Sequence, residues 1–310
     1  MARKCVIGID GGGTKTHLLC TTLEKEVLCE VFGKSSNLCS NSEEQVEKNL
    51  KELIQTCMDE IQEEIEIVSI CLGTAGLSYH NSQEILTNML RQYTKCKNIS
   101  IVGDMVIPMI AEIADKPGVI IISGTGAISY GRNSSNQQYR SGGWGHIVGD
   151  EGGAYWIAIE GIRAALRYFD GRGKETVLYQ MLMEQLHCKT ASELIDIIHG
   201  KDYGKKEIAN LSQTVNEAAR EGDQVAKDIL LHAALELFYT TEAIIKKLEL
   251  HHEKKFHVVL CGSVLLKNKY VNTRFKQLIG EKYKQSIIVE SQKDPVWGSI
   301  ITALRSVNNG

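Results

Sequence analysis

The feature that most constrains this sequence is a short pattern that occurs twice: an apolar segment, a glycine-rich turn and a second apolar segment. The first copy, Lys4 to Leu23, turns at Gly11 to Thr14, and the second, Val119 to Tyr130, turns at Ser123 to Gly126. Short apolar segments joined through glycine are typical of β-hairpins. Their repetition indicates a weak internal duplication of a strand–turn–strand unit.

Helices and further strands fill the rest of the sequence. Ser42 begins an amphipathic helix, with Gln45 placed to complete a capping box and apolar residues at helical spacing as far as Ile65. Further predicted helices are 82–93, 106–114, 223–250 and one that begins at Pro295, and further predicted strands are 68–72, 99–103, 257–260 and 287–289. Strands mixed with helices throughout predict an α/β fold.

The length of 310 residues suggests two domains. The stretch from Lys116 to Gly118 combines proline and glycine immediately before the second hairpin, which marks a boundary. The predicted domains are residues 1–117, completed by a closing helix at 295–310, and residues 118–294.

Composition excludes several classes of function. The net charge of −3 argues against a nucleic acid partner, because phosphate binding needs a clustered basic excess. No apolar run approaches the roughly 18 residues of a membrane-spanning helix, and the first ten residues do not resemble a signal peptide. Nine scattered cysteines without a CxxC pair argue against a zinc ribbon or a disulfide framework. We therefore expect free thiols, a cytoplasmic location and no membrane partner.

Three glycine-rich turns follow apolar strands, at Gly11 to Thr14, Gly124 to Gly126 and Gly262 to Ser263. Glycine lets backbone amides approach an anion closely, so three such turns indicate a phosphate site. Asp10, beside the first turn, is a candidate ligand of Mg²⁺, and its alternative role is to stabilise the turn. Lys15 is either a phosphate contact or a solvated hairpin lysine.

Asp104 directly follows the predicted strand 99–103 and precedes a helix. Ligands of open α/β folds gather at the carboxyl ends of strands, so Asp104 is a candidate general base for a substrate hydroxyl. The alternative is a simple helix N-cap.

The segment from Ser141 to Gly153 holds six glycines around Trp144, His146, Asp150 and Glu151. A core element would not carry so many glycines, because each one destabilises it. Backbone donors, an aromatic face and carboxylates suit a sugar ring and its hydroxyls. The alternative is a long flexible connection.

Four segments together resemble the N-acetylglucosamine kinase and N-acetylmuramic acid kinase family, a BadF/BadG-type ATPase group within the actin/hexokinase/Hsp70 superfamily. These segments are Ile7 to Lys15, Ile121 to Gly126, Gly142 to Gly152 and Leu260 to Ser263. They follow the order of the family along nearly the whole chain. The Gly-Trp-Gly loop is the most specific of them.

The resemblance implies two actin-like (ribonuclease H-like) domains with a central cleft for ATP and sugar, and a homodimer. It makes Asp104 the catalytic base and implies that the ATP phosphates lie between the turns at Gly11 to Thr14 and Gly124 to Gly126. The implied substrate-binding residues are Asn37, Gly143, Trp144, Gly145 and Asp150. The implied nucleotide-binding residues are Gly12, Gly13, Thr14, Lys15, Gly124, Thr125, Gly126, Gly262 and Ser263.

The implied reaction is ATP-dependent phosphorylation of the 6-hydroxyl of N-acetylglucosamine, N-acetylmuramic acid or both, in salvage of cell-wall sugars. A glucosamine kinase is the alternative within the family. N-acetylmuramic acid carries a lactyl ether on O3 and needs a roomier pocket, with a basic partner for its carboxylate. Arg132 and Arg140 are near the Gly-Trp-Gly loop in the sequence, and nothing more places either one there.

Two hypotheses come from other classes of function. Related ATPases activate CoA-ester dehydratases and reductases through an iron–sulfur cluster held by cysteines next to glycine-rich segments. Residues 118–153 contain no cysteine, which argues against such an activator. A non-catalytic sugar sensor would not need Asp104 together with the phosphate-binding turns.

Overall fold

A computed structural model describes residues 2–77, 80–200 and 203–308. The chain divides into two compact units: the first combines Met1–Asp115 with Ser291–Gly310, and the second is Lys116–Glu290. The first unit is thus discontinuous in sequence. Of the predicted closing helix, Asn309 and Gly310 lie outside the described residues.

The described residues contain ten strands and twelve α-helices. The strands are β1 (Arg3–Gly11), β2 (Lys15–Thr22), β3 (Val27–Lys34), β4 (Ile65–Thr74), β5 (Ile99–Gly103), β6 (Gly118–Ser123), β7 (Ala127–Arg132), β8 (Gln138–Gly142), β9 (Phe256–Cys261) and β10 (Ser286–Glu290). The helices are α1 (Glu43–Glu60), α2 (Ser82–Thr94), α3 (Val106–Ile113), α4 (Ala154–Phe169), α5 (Leu178–Gln185), α6 (Ala191–His199), α7 (Lys205–Asn210), α8 (Ser212–Arg220), α9 (Gln224–Lys247), α10 (Ser263–Lys267), α11 (Lys269–Lys282) and α12 (Val296–Asn308). This mixture confirms the predicted α/β class.

Each unit is built on one five-stranded sheet, and the two sheets have the same topology. The first has the order β3-β2-β1-β4-β5, and the second has the order β8-β7-β6-β9-β10. In each, an antiparallel meander of three strands continues into two strands parallel to its first strand. The duplicated hairpin predicted from the sequence is therefore part of a duplicated sheet.

The core of the first unit lies on both faces of its sheet. One face buries apolar residues of β1, β2 and β4 against α1 and α2, including Ile7, Leu50 and Leu90. The other face packs against α12 through Val6 and Ile300. The closing segment thereby completes a layer that residues 2–115 alone leave open.

The core of the second unit is larger and mostly helical on one side. Helix α9 runs through it and buries Leu230, Ala234 and Leu237, so this long apolar helix is a core element. Within the described residues, no helix combines the length and the apolarity needed to cross a membrane.

The structure corrects the predicted elements in two ways: one helix ends earlier than predicted, and two strands are present that were not predicted. Helix α1 ends at Glu60, and Ile65 begins β4, where it pairs with Arg3, so the prediction that one apolar helical face extends to Ile65 is wrong. Strands β3 and β8 were not predicted. Both are edge strands in which most residues are exposed or half-buried, so they lack the apolar run that marks the central strands.

Candidate functional site

Two of the predicted acidic residues lie at one edge of the first sheet. Strands β1, β4 and β5 run parallel, so their carboxyl ends meet at the same edge. Asp10 is next to the last residue of β1, beside Gly73 of β4. Asp104 directly follows β5, and its backbone N–H donates to the Thr74 carbonyl at 3.0 Å. This is the edge where open α/β sheets bind ligands.

The surroundings of Asp10 disfavour its negative charge. Burial raises the pKa of Asp10 to about 6, and the nearby charges of Asp294 and Asp104 add to the rise. His17 and Lys15 partly offset this effect. Two further carboxylates within electrostatic range of Asp10 make its surroundings attractive to a cation.

Asp104 is open to solvent on one side, yet partial desolvation raises the pKa of its carboxyl. A hydrogen bond from the Met105 backbone N–H acts in the opposite direction. Met105 directly precedes α3 and makes no side-chain cap bond, and Asp104 lies one position before it. A carboxylate with a raised pKa is a stronger base near neutral pH.

The first glycine turn is a tight connection between β1 and β2. The Gly12 N–H donates to the Lys15 carbonyl at 3.0 Å. Asn37 is buried close to this turn, with its Nδ2 atom 3.8 Å from the position that a Cβ on Gly13 would occupy. Its Oδ1 accepts a hydrogen bond from the Cys39 backbone N–H at 2.8 Å, which fixes the orientation of the amide.

The ammonium of Lys15 lies above the Phe32 ring, 5.4 Å from its centroid. The residue is exposed, which is compatible with a phosphate contact and with a solvated hairpin lysine. Its charge is nevertheless felt at Asp10. Lys15 therefore belongs to the same electrostatic neighbourhood as the carboxylates.

The second glycine turn is held against the start of α4 in the second unit. The carbonyls of Gly124 and Thr125 accept hydrogen bonds from Ala154 and Tyr155 at 2.8 and 3.0 Å. A Cβ on Gly126 would lie 2.4 Å from the Asp150 carboxylate, so any larger residue there would displace that side chain. The turn thus brings a predicted nucleotide residue into contact with a predicted sugar residue.

The third turn lies beside the second one. Gly262 has a φ of 91°, a conformation that side chains rarely adopt, and a Cβ there would lie 2.3 Å from the Ser123 carbonyl oxygen. Ser263 begins α10. The close approach places Ser263 and Thr125 on the wall of one cavity.

That cavity has a volume of about 350 Å³, which lies within the usual range for small-molecule sites. Side-chain amides enrich its wall, namely those of Asn210, Gln213, Asn216 and Asn268. The Asn268 Nδ2 donates to the Asn216 Oδ1 at 3.1 Å, so this pair is already ordered. Amides provide both donors and acceptors, as recognition of a heterocyclic base requires.

Asp150 is 6% exposed and has a φ of 61°. Its Oδ2 atom accepts a hydrogen bond from the Lys205 Nζ at 3.0 Å. The pairing offsets the cost of burying the carboxylate. The structure therefore joins the Gly-Trp-Gly loop to α7.

Trp144 is 66% exposed, and the Arg140 guanidinium carbon lies 4.4 Å from the centroid of its ring. The loop is anchored behind Trp144 by a hydrogen bond of 3.0 Å from the Gly143 N–H to the Ala127 carbonyl. Gly145 has open space around it. An exposed indole on an anchored loop is suited to stack on a sugar ring.

Three charged or titratable residues at these sites were not found by sequence reasoning. His17 is buried between Asp294, at 3.2 Å from Nδ1, and Glu30, at 2.9 Å from Nε2. Asp294 accepts from the Val296 N–H at 3.0 Å, and its position before Pro295 was the one available signal. Lys205 carried no motif.

The sequence matches the BadF/BadG/BcrA/BcrD ATPase family over residues 7–303. It is 40% identical over 301 residues to an N-acetylmuramic acid/N-acetylglucosamine kinase of Clostridium acetobutylicum, which covers 97% of this chain and 98% of the relative. It is 31% identical over 317 residues to an N-acetyl-D-glucosamine kinase of Dictyostelium discoideum, with 99% of each chain covered.

A solved structure from Chromobacterium violaceum, a candidate N-acetylglucosamine kinase, superposes with a TM-score of 0.74 at 20% identity, covering 97% of this chain and 98% of that one. At that identity the likeness concerns the fold alone, and it confirms the predicted actin-like α/β fold. The family match and the two relatives span nearly the whole sequence. This chain is a member of the BadF/BadG/BcrA/BcrD ATPase family.

Proposed function

We propose that this protein is an ATP-dependent kinase that phosphorylates the 6-hydroxyl of N-acetylglucosamine, N-acetylmuramic acid or both. The observation that carries the proposal is the position of Asp104 at the carboxyl edge of the first sheet, the same edge that holds Asp10. The two relatives at 40% and 31% identity bear names of this activity.

In the proposed mechanism, Asp104 accepts the proton of the sugar 6-hydroxyl as that oxygen attacks the γ-phosphorus of ATP. The new bond joins O6 to phosphorus, and the bond to the β-phosphate oxygen breaks with its electron pair leaving on ADP. The raised pKa of Asp104 strengthens it as a base.

The sugar would be held by residues of two kinds. Buried or anchored polar groups would receive its hydroxyls and acetamido group, while Trp144 would cover an apolar face of the ring. The proposed substrate-binding residues are Asn37, Gly143, Trp144, Gly145 and Asp150. Support comes from the fixed amide of Asn37 and the buried carboxylate of Asp150.

The nucleotide would be held by the three glycine turns. Their backbone amides suit phosphate oxygens, and the amide-lined cavity beside Thr125 and Ser263 suits the adenosine. The proposed residues are Gly12, Gly13, Thr14, Lys15, Gly124, Thr125, Gly126, Gly262 and Ser263. The membership of an ATPase family supports ATP as the nucleotide.

The donor set at the edge of the first sheet fits Mg²⁺. The described residues contain no cluster of three or more His, Cys, Asp or Glu side chains able to enclose a metal ion. Mg²⁺ bound with nucleotides typically takes one or two carboxylates and completes its shell with phosphate oxygens and water. Asp10 would supply such a carboxylate. Bound Mg²⁺ would neutralise charge on the phosphates.

We further propose that the protein works as a homodimer in a reducing cytoplasm and serves the salvage of cell-wall sugars. Free thiols support the compartment, since the buried cysteines Cys5, Cys20, Cys29, Cys57, Cys71 and Cys96 form no disulfide. N-acetylmuramic acid, named for the Clostridium acetobutylicum relative, supports the role in salvage.

The decisive assay measures ADP release with N-acetylglucosamine, N-acetylmuramic acid, glucosamine and glucose in parallel. We expect turnover with at least one N-acetylated sugar, and NMR of the product to show phosphate on O6. Turnover with glucosamine alone would favour the alternative substrate class. ATP hydrolysis that no sugar stimulates would refute the proposal.

The variant Asp104→Asn tests the role of the base. We expect kcat to fall by roughly 100-fold or more, since general bases contribute on that order, with sugar binding retained. Circular dichroism and titration calorimetry with the sugar provide the controls for folding and binding. Wild-type turnover in this variant would remove Asp104 from the mechanism.

A further inference from the structure

The ion pair between Asp150 and Lys205 joins a carboxylate of the proposed sugar site to a cation from a distant part of the sequence. The two residues are 55 positions apart, and the Nζ to Oδ2 distance is 3.0 Å. The Asp150 side chain is 8% exposed, whereas that of Lys205 is 38% exposed. The carboxylate is therefore enclosed, and its cation is open to solvent.

An ammonium group has three N–H donors. Among residues 2–77, 80–200 and 203–308, Asp150 is the one hydrogen-bonding partner of the Lys205 Nζ. Its remaining donors are therefore available to a ligand that approaches from the solvent side. Lys205 neutralises the charge of Asp150, but most of the hydrogen-bond donors of Lys205 stay available.

Asp150 also sets a condition on which sugars can bind. A buried carboxylate next to the sugar repels a substrate that carries its own carboxylate, unless a cation lies between or beside the two. Lys205 occupies such a position, in contact with the Asp150 carboxylate and exposed on its far side. A neutral amino sugar gains nothing comparable from this cation.

We propose that Lys205 binds a carboxylate of the substrate, so that the site takes N-acetylated amino sugars with an acidic ether substituent as well as neutral ones. N-acetylmuramic acid has this chemistry, since its lactyl carboxylate lies on a short ether arm beyond the ring. The inference rests on the proposed function and assigns a specificity-determining residue to it.

The other basic candidates have different surroundings. Arg132 lies in β7 and is 8% exposed, which leaves little room for a ligand. Arg140 stacks on Trp144 at 4.4 Å. Lys205, by contrast, contacts a residue of the proposed sugar site. The cation for the carboxylate thus comes from α7 instead of the glycine-rich loop.

The first test needs no variant. We expect the wild-type protein to phosphorylate N-acetylmuramic acid with a kcat/KM roughly 10- to 100-fold above that for its neutral carboxamide, as the loss of a charge-assisted hydrogen bond implies. Equal values for the acid and the amide would overturn the proposal. Turnover of N-acetylglucosamine in the same assay would leave the proposed function standing in that case.

The second test compares Lys205→Met with Lys205→Arg and with Lys206→Met, which removes the same charge from the adjacent, exposed position. Lys205→Met should lower kcat/KM for N-acetylmuramic acid at least tenfold more than for N-acetylglucosamine, chiefly through KM. Lys205→Arg should restore most of the preference, and Lys206→Met should behave as wild type.

A role confined to positioning Asp150 predicts a different pattern. Lys205→Met would then weaken both sugars by the same factor, which would overturn the proposal. Calorimetric titration of each sugar without ATP provides a readout independent of turnover. A loss of affinity restricted to N-acetylmuramic acid supports the proposal, and an equal loss for both sugars contradicts it.

Discussion

Asp10 illustrates how a single residue can lower the stability of the folded protein and yet be useful in a binding site. Its carboxyl lies near two other carboxylates and is partly buried, so the folded protein holds the charged form at a cost. We expect Asp10→Asn to remove this cost and to stabilise the protein in the absence of Mg²⁺ and ATP. The same change should abolish most kinase activity.

The pH dependence of that gain follows from the sign of the shift. The pKa of Asp10 rises from 3.8 to about 6 on folding, so its proton stabilises the folded state at low pH, and this contribution is lost as the pH rises through 6. The advantage of Asp10→Asn should therefore grow between pH 4 and pH 7, to on the order of 2–3 kcal/mol.

Denaturant unfolding of the wild-type protein and of Asp10→Asn between pH 4 and pH 7 measures this difference in stability. Asp59→Asn, at an exposed position of α1 in the same unit, provides the matched control and should show no such trend. An advantage of Asp10→Asn that is equal at pH 4 and pH 7 would contradict the electrostatic explanation.

Single residues differed in how far the sequence could predict them. Asp10 and Asp104 follow apolar strands, and because parallel strands end at one edge, their proximity could be inferred. Lys205 begins a helix of six residues with no recognisable motif. Its partner Asp150 is 55 residues away, and such a distance along the chain leaves no periodic signal.

Among the elements, α12 and α3 are in unusually close contact within the first unit. A Cβ on Gly298 of α12 would lie 1.9 Å from the Ile107 carbonyl oxygen of α3. Helix α3 begins directly after Asp104 and Met105. A displacement of α3 would therefore move the proposed catalytic base.

We expect Gly298→Ala to destabilise the protein by about 1–3 kcal/mol, the usual cost of overpacking, and to lower kcat without a matching change in affinity for sugar. Gly280→Ala in α11 is the matched control, since a Cβ there meets nothing within 4 Å. That variant should gain about 0.4–1 kcal/mol through the unfolded state. Denaturation midpoints and steady-state kinetics distinguish the two outcomes, and equal behaviour would contradict the packing argument.

The predictability of the elements also followed from their burial. The central strands and α1, with its N-cap Ser42, were predicted because buried faces produce apolar patterns and caps leave a local signature. Strands β3 and β8 escaped prediction because they lie at sheet edges, where most of their residues are exposed or half-buried. Their presence depends on a neighbouring strand, which is a tertiary property.

At the scale of the whole molecule, the two units contain the same kind of sheet but differ in which parts of the sequence form them. The second unit is continuous in sequence, whereas the first is completed by residues that return from beyond it. Helix α12 covers one face of the first sheet, where Ile300 packs with Val6 and Cys71. None of the proposed substrate-binding or nucleotide-binding residues belongs to this helix.

Removal of residues 291–310 should therefore disrupt the first unit and leave the second intact, and the loss of the first unit should abolish kinase activity. Without α12 the apolar face of β1 and β4 meets water, and we expect rapid hydrogen exchange in those strands while β6 and β9 stay protected. Ile300→Asp, which disrupts the same cluster in the full-length chain, should reproduce the pattern in a milder form. If β1 kept its protection from hydrogen exchange in the truncated protein, the first sheet would be stable without its closing helix. If β6 lost its protection together with β1, the two units would unfold as one.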